Sequence, residues 1–460
     1  MKEQINRIVA LFSEAGRGDI SAKETWDEFA YKANFQLSKI PDDQCLLLTI
    51  PEISDRDSWR LIITSNGGDS ILDIKKSSGE MGDIKSDLEP YREDDVCLKF
   101  IVEKQRINKK LTVYDWFLFT DFLQGTSLSA FLNAVSNRLD DNLTVEVWSD
   151  GFNPFKSNTI AFISKGGTTT IEVIAHRHSR VSSRQKYCLS NFLNGNILPE
   201  DLLTDSTTDK VSLLFRKASM ALSMLFVCDN SSMGSNLELG ICGYKTFKSQ
   251  YEAQQLDNLT FEDKYCNSWF EIYDWSYTGG YTSDRLCIAR NIISLNVNGD
   301  DICSISVSTL RSIKSNFKIF EQDNVRQYIK VRNEISSLLI NMQREVNSIV
   351  DGFASDFKKN ILAVFTFFFT VVVVRVISKG DFLGGFTTPV FILSLIFLAL
   401  SIALLIFSRM ELEKKKCLFE KHYDQIKNRY KSLLSEEEII EMFKDCNPNI
   451  QGSHANYIEW

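Results

Sequence analysis

Two aspartates and a lysine are the residues whose types and spacing best match a catalytic site. Asp42 is followed about thirty residues later by Asp73 and Lys75. Two carboxylates can hold Mg²⁺ while a lysine two residues along the same strand face orients an attacking water, which is the chemistry of metal-assisted phosphodiester hydrolysis. Leu72 and Ile74 alternate with these residues, and any half-buried strand with a solvated face shows the same alternation. Both interpretations stay open.

A basic cluster after a predicted strand at 168–176 is the second candidate. The cluster consists of His176, Arg177, His178, Arg180, Arg184 and Lys186. Cations at this density can bind phosphates, so Arg177, Arg180, Arg184 and Lys186 are candidate phosphate or nucleic-acid contacts. The alternative is a solvated loop. The two histidines lack the further ligands that a metal site would need.

Aromatic side chains and an arginine surround a diglycine turn in the segment WSYTGGYTSDR, which begins at Trp275. Aromatic rings beside an arginine can stack on bases or contact a partner protein. The candidate ligand or partner surface consists of Trp275, Tyr277, Tyr281 and Arg285. The alternative is a turn whose aromatic rings pack on the core.

Composition narrows the chemistry further. The net charge of −8 lacks the basic excess of a general nucleic-acid binder, so any nucleic-acid contact would be local. The ten cysteines occur singly, without the C-x-x-C spacing of zinc or redox sites. The Rossmann, G-x-S-x-G and H-E-x-x-H fingerprints are missing. The sequence therefore predicts no cofactor and no metal, and it favours a non-enzymatic function.

Two long apolar runs dominate the C-terminal part of the chain. Residues 361–377 contain one charge, Arg375, and residues 390–407 contain none. Each run approaches the roughly 20 residues that a helix needs to cross a bilayer. The pattern predicts a transmembrane hairpin with helices at 361–377 and 389–407 and a short external loop at 378–388. The alternative is a pair of buried core helices.

Few polar residues interrupt these runs. Thr366 and Thr370 are spaced i, i+4, and Ser394 and Ser401 are spaced i, i+7, so each pair occupies one helix face. Together with Arg375 they could line a membrane path in an oligomer. Alternatively, the hydroxyls bond their own helix or support packing, and Arg375 snorkels to the headgroups as an anchor.

Two heptad seams flank the apolar runs. Apolar residues step by four and three along 335, 339, 342, 346, 349 and 353, and again along 412, 419, 423, 426, 430 and 433, with Lys416 at one polar position. This spacing is typical of coiled coils. It predicts an antiparallel helical stalk formed by 321–360 and 408–434. A capping box at Ser435 and Glu438 predicts a further helix in the C-terminal segment 435–460.

The distribution of basic residues predicts the orientation of the hairpin. The outer flanks carry Arg344, Lys358, Lys359, Arg409, Lys414, Lys415, Lys416, Lys421 and Lys427. The loop end carries only Arg375 and Lys379. Because basic residues stay on the cytoplasmic side, both termini are predicted to be cytoplasmic in a multi-pass protein of the inner membrane.

The N-terminal part of the chain has the pattern of an α+β region with largely antiparallel sheets, because β-rich runs cluster and helical stretches follow them. We predict an α+β domain at 1–205, with 1–140 and 141–205 as alternative subdomains. A mixed, helix-rich domain is predicted at 206–320. Both would be cytoplasmic.

The layout of a cytoplasmic body, a stalk and a hairpin resembles bacterial antiphage-defence (abortive-infection) effectors with a C-terminal two-span hairpin. The resemblance is architectural and covers about 320–434. It implies a sensor that disrupts the membrane on activation, forms homo-oligomers and responds to a protein or nucleic-acid partner in the cytoplasm.

Two other functions stay open. One is a membrane-tethered scaffold whose body binds a partner while the hairpin is inert. The other is a tethered nuclease using Asp42, Asp73 and Lys75, which resemble the site of PD-(D/E)xK nucleases.

Overall fold

The computed structural model describes residues 1–14, 19–76, 83–192, 195–297, 301–379, 388–430 and 437–438. They fall into two compact units, Met1–Ile319 and Phe320–Trp460. The first unit is an α+β region, as the sequence predicts, and the second contains long helices.

The first sheet is antiparallel throughout. Its elements and the helices around it are α1 (Lys2–Phe12), β1 (Ile20–Glu24), β2 (Glu28–Gln36), α2 (Asp43–Thr49), β3 (Ser58–Ser65), β4 (Ser70–Lys75), α3 (Ile84–Leu88) and β5 (Asp95–Glu103). The strand order is β1-β2-β5-β3-β4. The central strand β5 buries every second side chain, Val96, Leu98, Phe100 and Val102. This period of two is the one expected of a strand with one face in the core.

The second sheet departs from the predicted antiparallel arrangement. Its elements are β6 (Lys110–Val113), α4 (Trp116–Gln124), α5 (Leu128–Arg138), β7 (Leu143–Val147), β8 (Phe155–Lys156) and β9 (Ile160–Ser164). The strand order is β6-β7-β9-β8, and β6, β7 and β9 run parallel. Parallel neighbours need a crossover, which α4 and α5 provide between β6 and β7. The second sheet differs from the prediction because β7 and β9 are buried on both faces, which is typical of parallel sheets.

The third sheet is antiparallel except at its first pair. The elements in this part of the chain are α6 (Arg177–Tyr187), β10 (Leu189–Ser190), α7 (Pro199–Leu202), α8 (Lys210–Val227), β11 (Asn230–Met233), β12 (Asn236–Cys242), β13 (Thr246–Glu252), α9 (Asp263–Tyr277) and α10 (Thr282–Asn296). The strand order is β10-β11-β12-β13, with β10 and β11 parallel. The strand predicted at 168–176 is wrong, because Gly166 at φ 73° turns the chain after β9 and the backbone at 167–174 is irregular.

One hydrophobic core runs through the second and third sheets. It contains Leu132, Val145, Phe215 and Ile313, among others. These residues come from both sides of positions 140 and 205, where domain boundaries are predicted. The interior of Met1–Ile319 is therefore packed continuously across those positions.

Two long helices form the described part of the C-terminal region. They are α11 (Val307–Lys379), which begins within the first unit, and α12 (Thr388–Tyr430). Helix α11 has no proline and a single glycine, Gly352, so its sequence favours an uninterrupted helix. Most of the predicted loop at 378–388 and of the C-terminal segment at 435–460 lies outside the described residues.

Part of the predicted seam of α11 packs against part of the predicted seam of α12. Ile335, Leu339 and Met342 of α11 form a buried cluster with Tyr423 and Tyr430 of α12. Flanking seam residues such as Phe419 and Ile426 are partly buried against the cluster. These contacts hold the two helices together as an antiparallel pair.

A buried ion pair links the first sheet to the second. Glu24 at the end of β1 lies 2.6 Å from the Lys104 ammonium, and both side chains are 0% exposed. The Glu24 carboxylate also accepts hydrogen bonds from the backbone amides of Tyr114 and Asp115, directly after β6. Burial raises the pKa of the Glu24 carboxyl, and the adjacent ammonium and amides oppose that rise. One carboxylate therefore joins segments from both sheets.

Lys104→Met should lower the free energy of unfolding by about 3–5 kcal/mol, because it leaves a buried carboxylate without its cation. Urea unfolding of the full chain in mild detergent, followed by tryptophan fluorescence, measures this loss, since every tryptophan except Trp460 lies in Met1–Ile319. Lys109→Met is the control, because Lys109 and Asp141 pair while 40% and 59% exposed. Its effect should stay below about 1 kcal/mol. Equal losses in the two variants would contradict a special role for the buried pair.

Candidate functional site

Asp73 lies on an exposed strand face and is already paired with an arginine. The Arg60 guanidinium donates to both carboxylate oxygens, from Nε at 2.7 Å and from Nη2 at 2.5 Å. The hydrogen bond from Arg60 lowers the pKa of Asp73. The Lys75 ammonium is 4.0 Å from the same carboxylate, so these two residues share a face as predicted. The carboxylate's strongest partner is therefore a cation of its own sheet.

Asp42 is exposed at the residue before α2, and its side chain does not cap that helix. Within the described ranges, no group of three or more His, Cys, Asp or Glu residues could hold a metal ion. The arrangement around Asp73 is thus that of a surface ion pair, and the catalytic roles of Asp42, Asp73 and Lys75 stay a prediction.

Two arginines of the basic cluster tie α6 to its neighbours. Arg177 donates two hydrogen bonds to Asp201 in α7, at 2.5 and 2.7 Å, and both side chains are buried. Arg180 pairs with Glu200 at 2.9 Å and with Asp274 of α9 at 2.8 Å. These guanidinium groups are occupied by protein carboxylates, whereas Lys186, His176 and His178 are exposed.

Arg184 is the exception among the buried cations. It is 2% exposed, and its Nη2 atom has no hydrogen-bond partner in the described structure. The guanidinium instead lies over the rings of Phe192 and Phe226, at 5.9 and 5.2 Å from their centroids. Burial lowers the pKa of Arg184. Cation–π contact offsets part of the desolvation cost, but it does not replace a carboxylate.

The turn between α9 and α10 uses its aromatic residues mainly for packing. Tyr277 is buried and donates to the Phe226 carbonyl at 2.7 Å. Arg285 donates to the carbonyls of Trp275 and Thr278, and it lies over the Trp275 ring at 5.0 Å. Of the four predicted surface residues, Tyr281 is the strongly exposed one, at 71%. Trp275, Tyr277 and Arg285 therefore pack as the core-packing alternative predicts.

The apolar segments of α11 and α12 differ from the core helix of the first unit. Helix α8 buries every residue except Lys210, Leu213 and Lys217. By contrast, 0% of the most apolar 18-residue window of α11 and 11% of that of α12 are buried. Both helices are long and apolar enough to cross a membrane. The core-helix alternative requires these apolar side chains to be buried, whereas the lipid-facing alternative requires them to be exposed. The side chains are exposed, as the lipid-facing alternative requires.

Three of the four predicted hydroxyl groups, those of Thr370, Ser394 and Ser401, bond within the helix pair. Thr370 donates to the Thr366 carbonyl and Ser394 to the Val390 carbonyl, each at 2.8 Å. Ser401 donates to Asn360 across the pair, as described next. The Arg375 side chain lies outside the described structure, so its predicted place on a membrane path stays a prediction.

Asn360 and Ser401 form a polar contact between the helices that we did not predict from the sequence. Asn360 Nδ2 donates to the Ser401 carbonyl at 3.1 Å, and Ser401 Oγ donates to Asn360 Oδ1 at 3.0 Å. Seven residues further along α11, the Phe367 ring stacks on Phe397 at 4.2 Å. Asn360 continues the seam of α11 in steps of three and four beyond Phe353. This spacing is the sequence feature that could have predicted a contact between Asn360 and α12.

Comparisons of this chain with models of protein families, with curated proteins and with solved structures find no match.

Arg184→Met should raise the free energy of unfolding by about 1–2 kcal/mol, because it removes a buried charge that has no carboxylate partner among the described residues. The matched variant Arg177→Met should act in the opposite direction and cost about 3–5 kcal/mol, because it leaves Asp201 buried without its cation. Urea unfolding followed by tryptophan fluorescence compares the two. A loss in Arg184→Met as large as that in Arg177→Met would show that Arg184 has a stabilising counterion.

Asn360→Ala and Ser401→Ala should each weaken the association of α11 and α12, by about 0.6–1.7 kcal/mol in a membrane-like environment. The double variant should lose no more than Asn360→Ala alone, because Asn360→Ala already removes both hydrogen bonds and Ser401→Ala removes only the one that its hydroxyl donates. Thermal unfolding in detergent, followed by circular dichroism of the helices, provides the double-mutant cycle. Asn341→Ala alters an exposed asparagine of α11 and is the control. Additive losses would rule out the direct contact.

Proposed function

We propose that this chain is a membrane-anchored sensor and effector. Its N-terminal α+β unit works in the cytoplasm, and its C-terminal helices cross the inner membrane twice, with both termini cytoplasmic. The observation that carries the proposal is the exposure of two apolar helix windows, 0% and 11% buried, in a chain that buries the apolar helix α8 almost completely. Apolar surface of this extent is stable in a bilayer and unfavourable in water.

The stalk in this proposal is an antiparallel coiled coil. It is supported by the buried cluster of Ile335, Leu339 and Met342 with Tyr423 and Tyr430, which lies on the predicted heptad seams. The same seam continues through Asn360 to Phe367, in the first span. A change in the packing of the stalk would thereby reach the spans through side chains that are already in contact.

The effector role follows from the resemblance to antiphage-defence proteins and from the short link between the spans. With few residues between α11 and α12, little of the chain is available outside to receive a signal. A cytoplasmic protein or nucleic acid would activate the chain, homo-oligomers would form, and loss of membrane integrity would be the result.

A membrane-tethered scaffold is the second candidate, and a specific observation favours it. Thr370 and Ser394 bond their own helices, and Ser401 bonds Asn360, so these hydroxyls are engaged within one helix pair. Residues that line a water-filled path would instead turn their hydroxyls towards it. The nuclease alternative has less support, because Arg60 occupies the Asp73 carboxylate.

Replacing Leu395 and Leu398 together by arginine should abolish membrane insertion. Both leucines are exposed, so a water-facing helix would tolerate the change. Two arginines at the centre of a span each cost about 2.5–3.5 kcal/mol on insertion scales. Leu418→Arg, at an exposed position outside the apolar run, is the control. The measurement is the fraction of the full chain that stays with membranes after alkaline extraction, and retention of the double variant would contradict the proposed spans.

The same strains separate the effector from the scaffold. Membrane potential and dye exclusion are followed during overexpression and during phage infection. Collapse with the wild type but not with the double arginine variant supports the effector. A wild type that inserts yet leaves both readouts unchanged under infection is a scaffold.

A further inference from the structure

A shallow, open groove follows one side of α11 along the first apolar segment. It has a volume of about 520 Å³ and is lined by Lys359, Leu362, Ala363, Thr366, Phe367 and Thr370. The Thr370 hydroxyl is satisfied by the Thr366 carbonyl, so the wall of the groove offers chiefly apolar surface. At a rise of 1.5 Å per residue, the groove runs about 16 Å along the helix. This is roughly half of the ~30 Å hydrocarbon core, which is the depth of one leaflet.

A cation stands at one end of this groove. The Lys359 side chain is 76% exposed and forms a 3.6 Å ion pair with Asp356, itself 59% exposed. An exposed pair at that distance contributes little and can be replaced by a stronger anion. The walls of the groove itself contain no acidic residue.

The contact between Asn360 and Ser401 sets the depth of this lysine. Lys359, Asp356 and Asn360 line a second groove with Leu404, Leu405 and Glu411 of α12, among others. Leu404 and Leu405 belong to the apolar run of α12, which continues to Phe407, and Glu411 lies one turn beyond it. Lys359 is therefore level with the end of the apolar run of the neighbouring helix. A charge at that depth must snorkel towards the headgroups or bind an anion.

We propose that the groove from Lys359 to Thr370 binds an acyl chain of an anionic phospholipid, whose phosphate pairs with the Lys359 ammonium. This inference rests on the proposed membrane function and names its lipid partner. The groove supplies an apolar surface as long as one leaflet is deep, and the lysine supplies the matching charge at its headgroup end.

A second copy of the chain is a poorer occupant. Two copies that met symmetrically along this groove would bring two Lys359 ammonium groups towards each other. Like charges at the edge of a low-dielectric region repel strongly. An anionic headgroup neutralises the same charge.

The test uses the full chain reconstituted into nanodiscs of equal parts phosphatidylcholine and phosphatidylglycerol. The lipids retained after mild detergent extraction are quantified by mass spectrometry. Phosphatidylglycerol should be enriched about fivefold over its share in the bulk, which corresponds to about 1 kcal/mol for one lysine near the headgroups. Lys359→Gln should abolish the enrichment, and Lys359→Arg should retain it.

Two controls make the result specific to the groove. Lys421→Gln removes an equal charge from α12, about 21 Å along the helix from Phe407, and should leave the enrichment unchanged. Ala363→Leu narrows the groove without altering charge and should reduce the amount of retained lipid. Inorganic phosphate should compete weakly, since it lacks the acyl chain.

Four outcomes would overturn the inference. The first is equal retention of both lipids by an inserted wild type, and the second is unchanged phosphatidylglycerol enrichment in Lys359→Gln. The third is full displacement of the retained lipid by inorganic phosphate. The fourth is a change of oligomeric state in Ala363→Leu with unchanged lipid enrichment, which would assign the groove to a second copy of the chain. Failure of the chain to enter nanodiscs made of phosphatidylcholine alone would instead refute the proposed membrane function. The two failures are therefore distinguishable.

Discussion

Apolar surface that the described part of the chain leaves uncovered is the constraint from which the organisation of the C-terminal helices follows. The apolar windows of α11 and α12 are exposed almost throughout, although the same chain packs the apolar helix α8 on all sides. Burying apolar area is favourable by roughly 25 cal/mol per Å². Exposed helices of this length would therefore carry a large penalty in water, whereas a bilayer removes it and requires the backbone to stay helical.

The helix pair changes character along its length while keeping one seam. In its charged part, Ile335, Leu339 and Met342 contact Tyr423 and Tyr430, and burial of apolar area stabilises the pair. In a bilayer that gain would disappear from the apolar part, because lipid is as apolar as the helix. The contacts there are the Asn360–Ser401 hydrogen bonds and the stacked Phe367 and Phe397 rings. Directional bonds take over where the hydrophobic effect no longer selects a register.

Charge pairing organises the N-terminal unit in a comparable way. Glu24 and Lys104 connect two sheets, and Arg177 and Arg180 connect α6 to α7 and α9. Each of these cations has a carboxylate within hydrogen-bond distance, which the low dielectric of the interior demands. Among the described residues Arg184 has no such carboxylate, and its charge is buried at a cost in stability.

Periodicity was sufficient to predict the α+β character of the N-terminal region, the two apolar helices and part of the seam, because these features depend on neighbours along one helix or strand. The parallel order of β6, β7 and β9 goes with burial of both strand faces. The alternation of apolar and polar residues along a single strand does not predict such burial. The candidate sites depended on tertiary contacts even more. Whether Arg177 meets a phosphate or Asp201, and whether Asp73 meets a metal or Arg60, is decided by how neighbouring helices or strands pack. Residue type alone determined that these groups must be neutralised, and only the tertiary structure decided by which partner, because charges in a protein are paired by proximity in space.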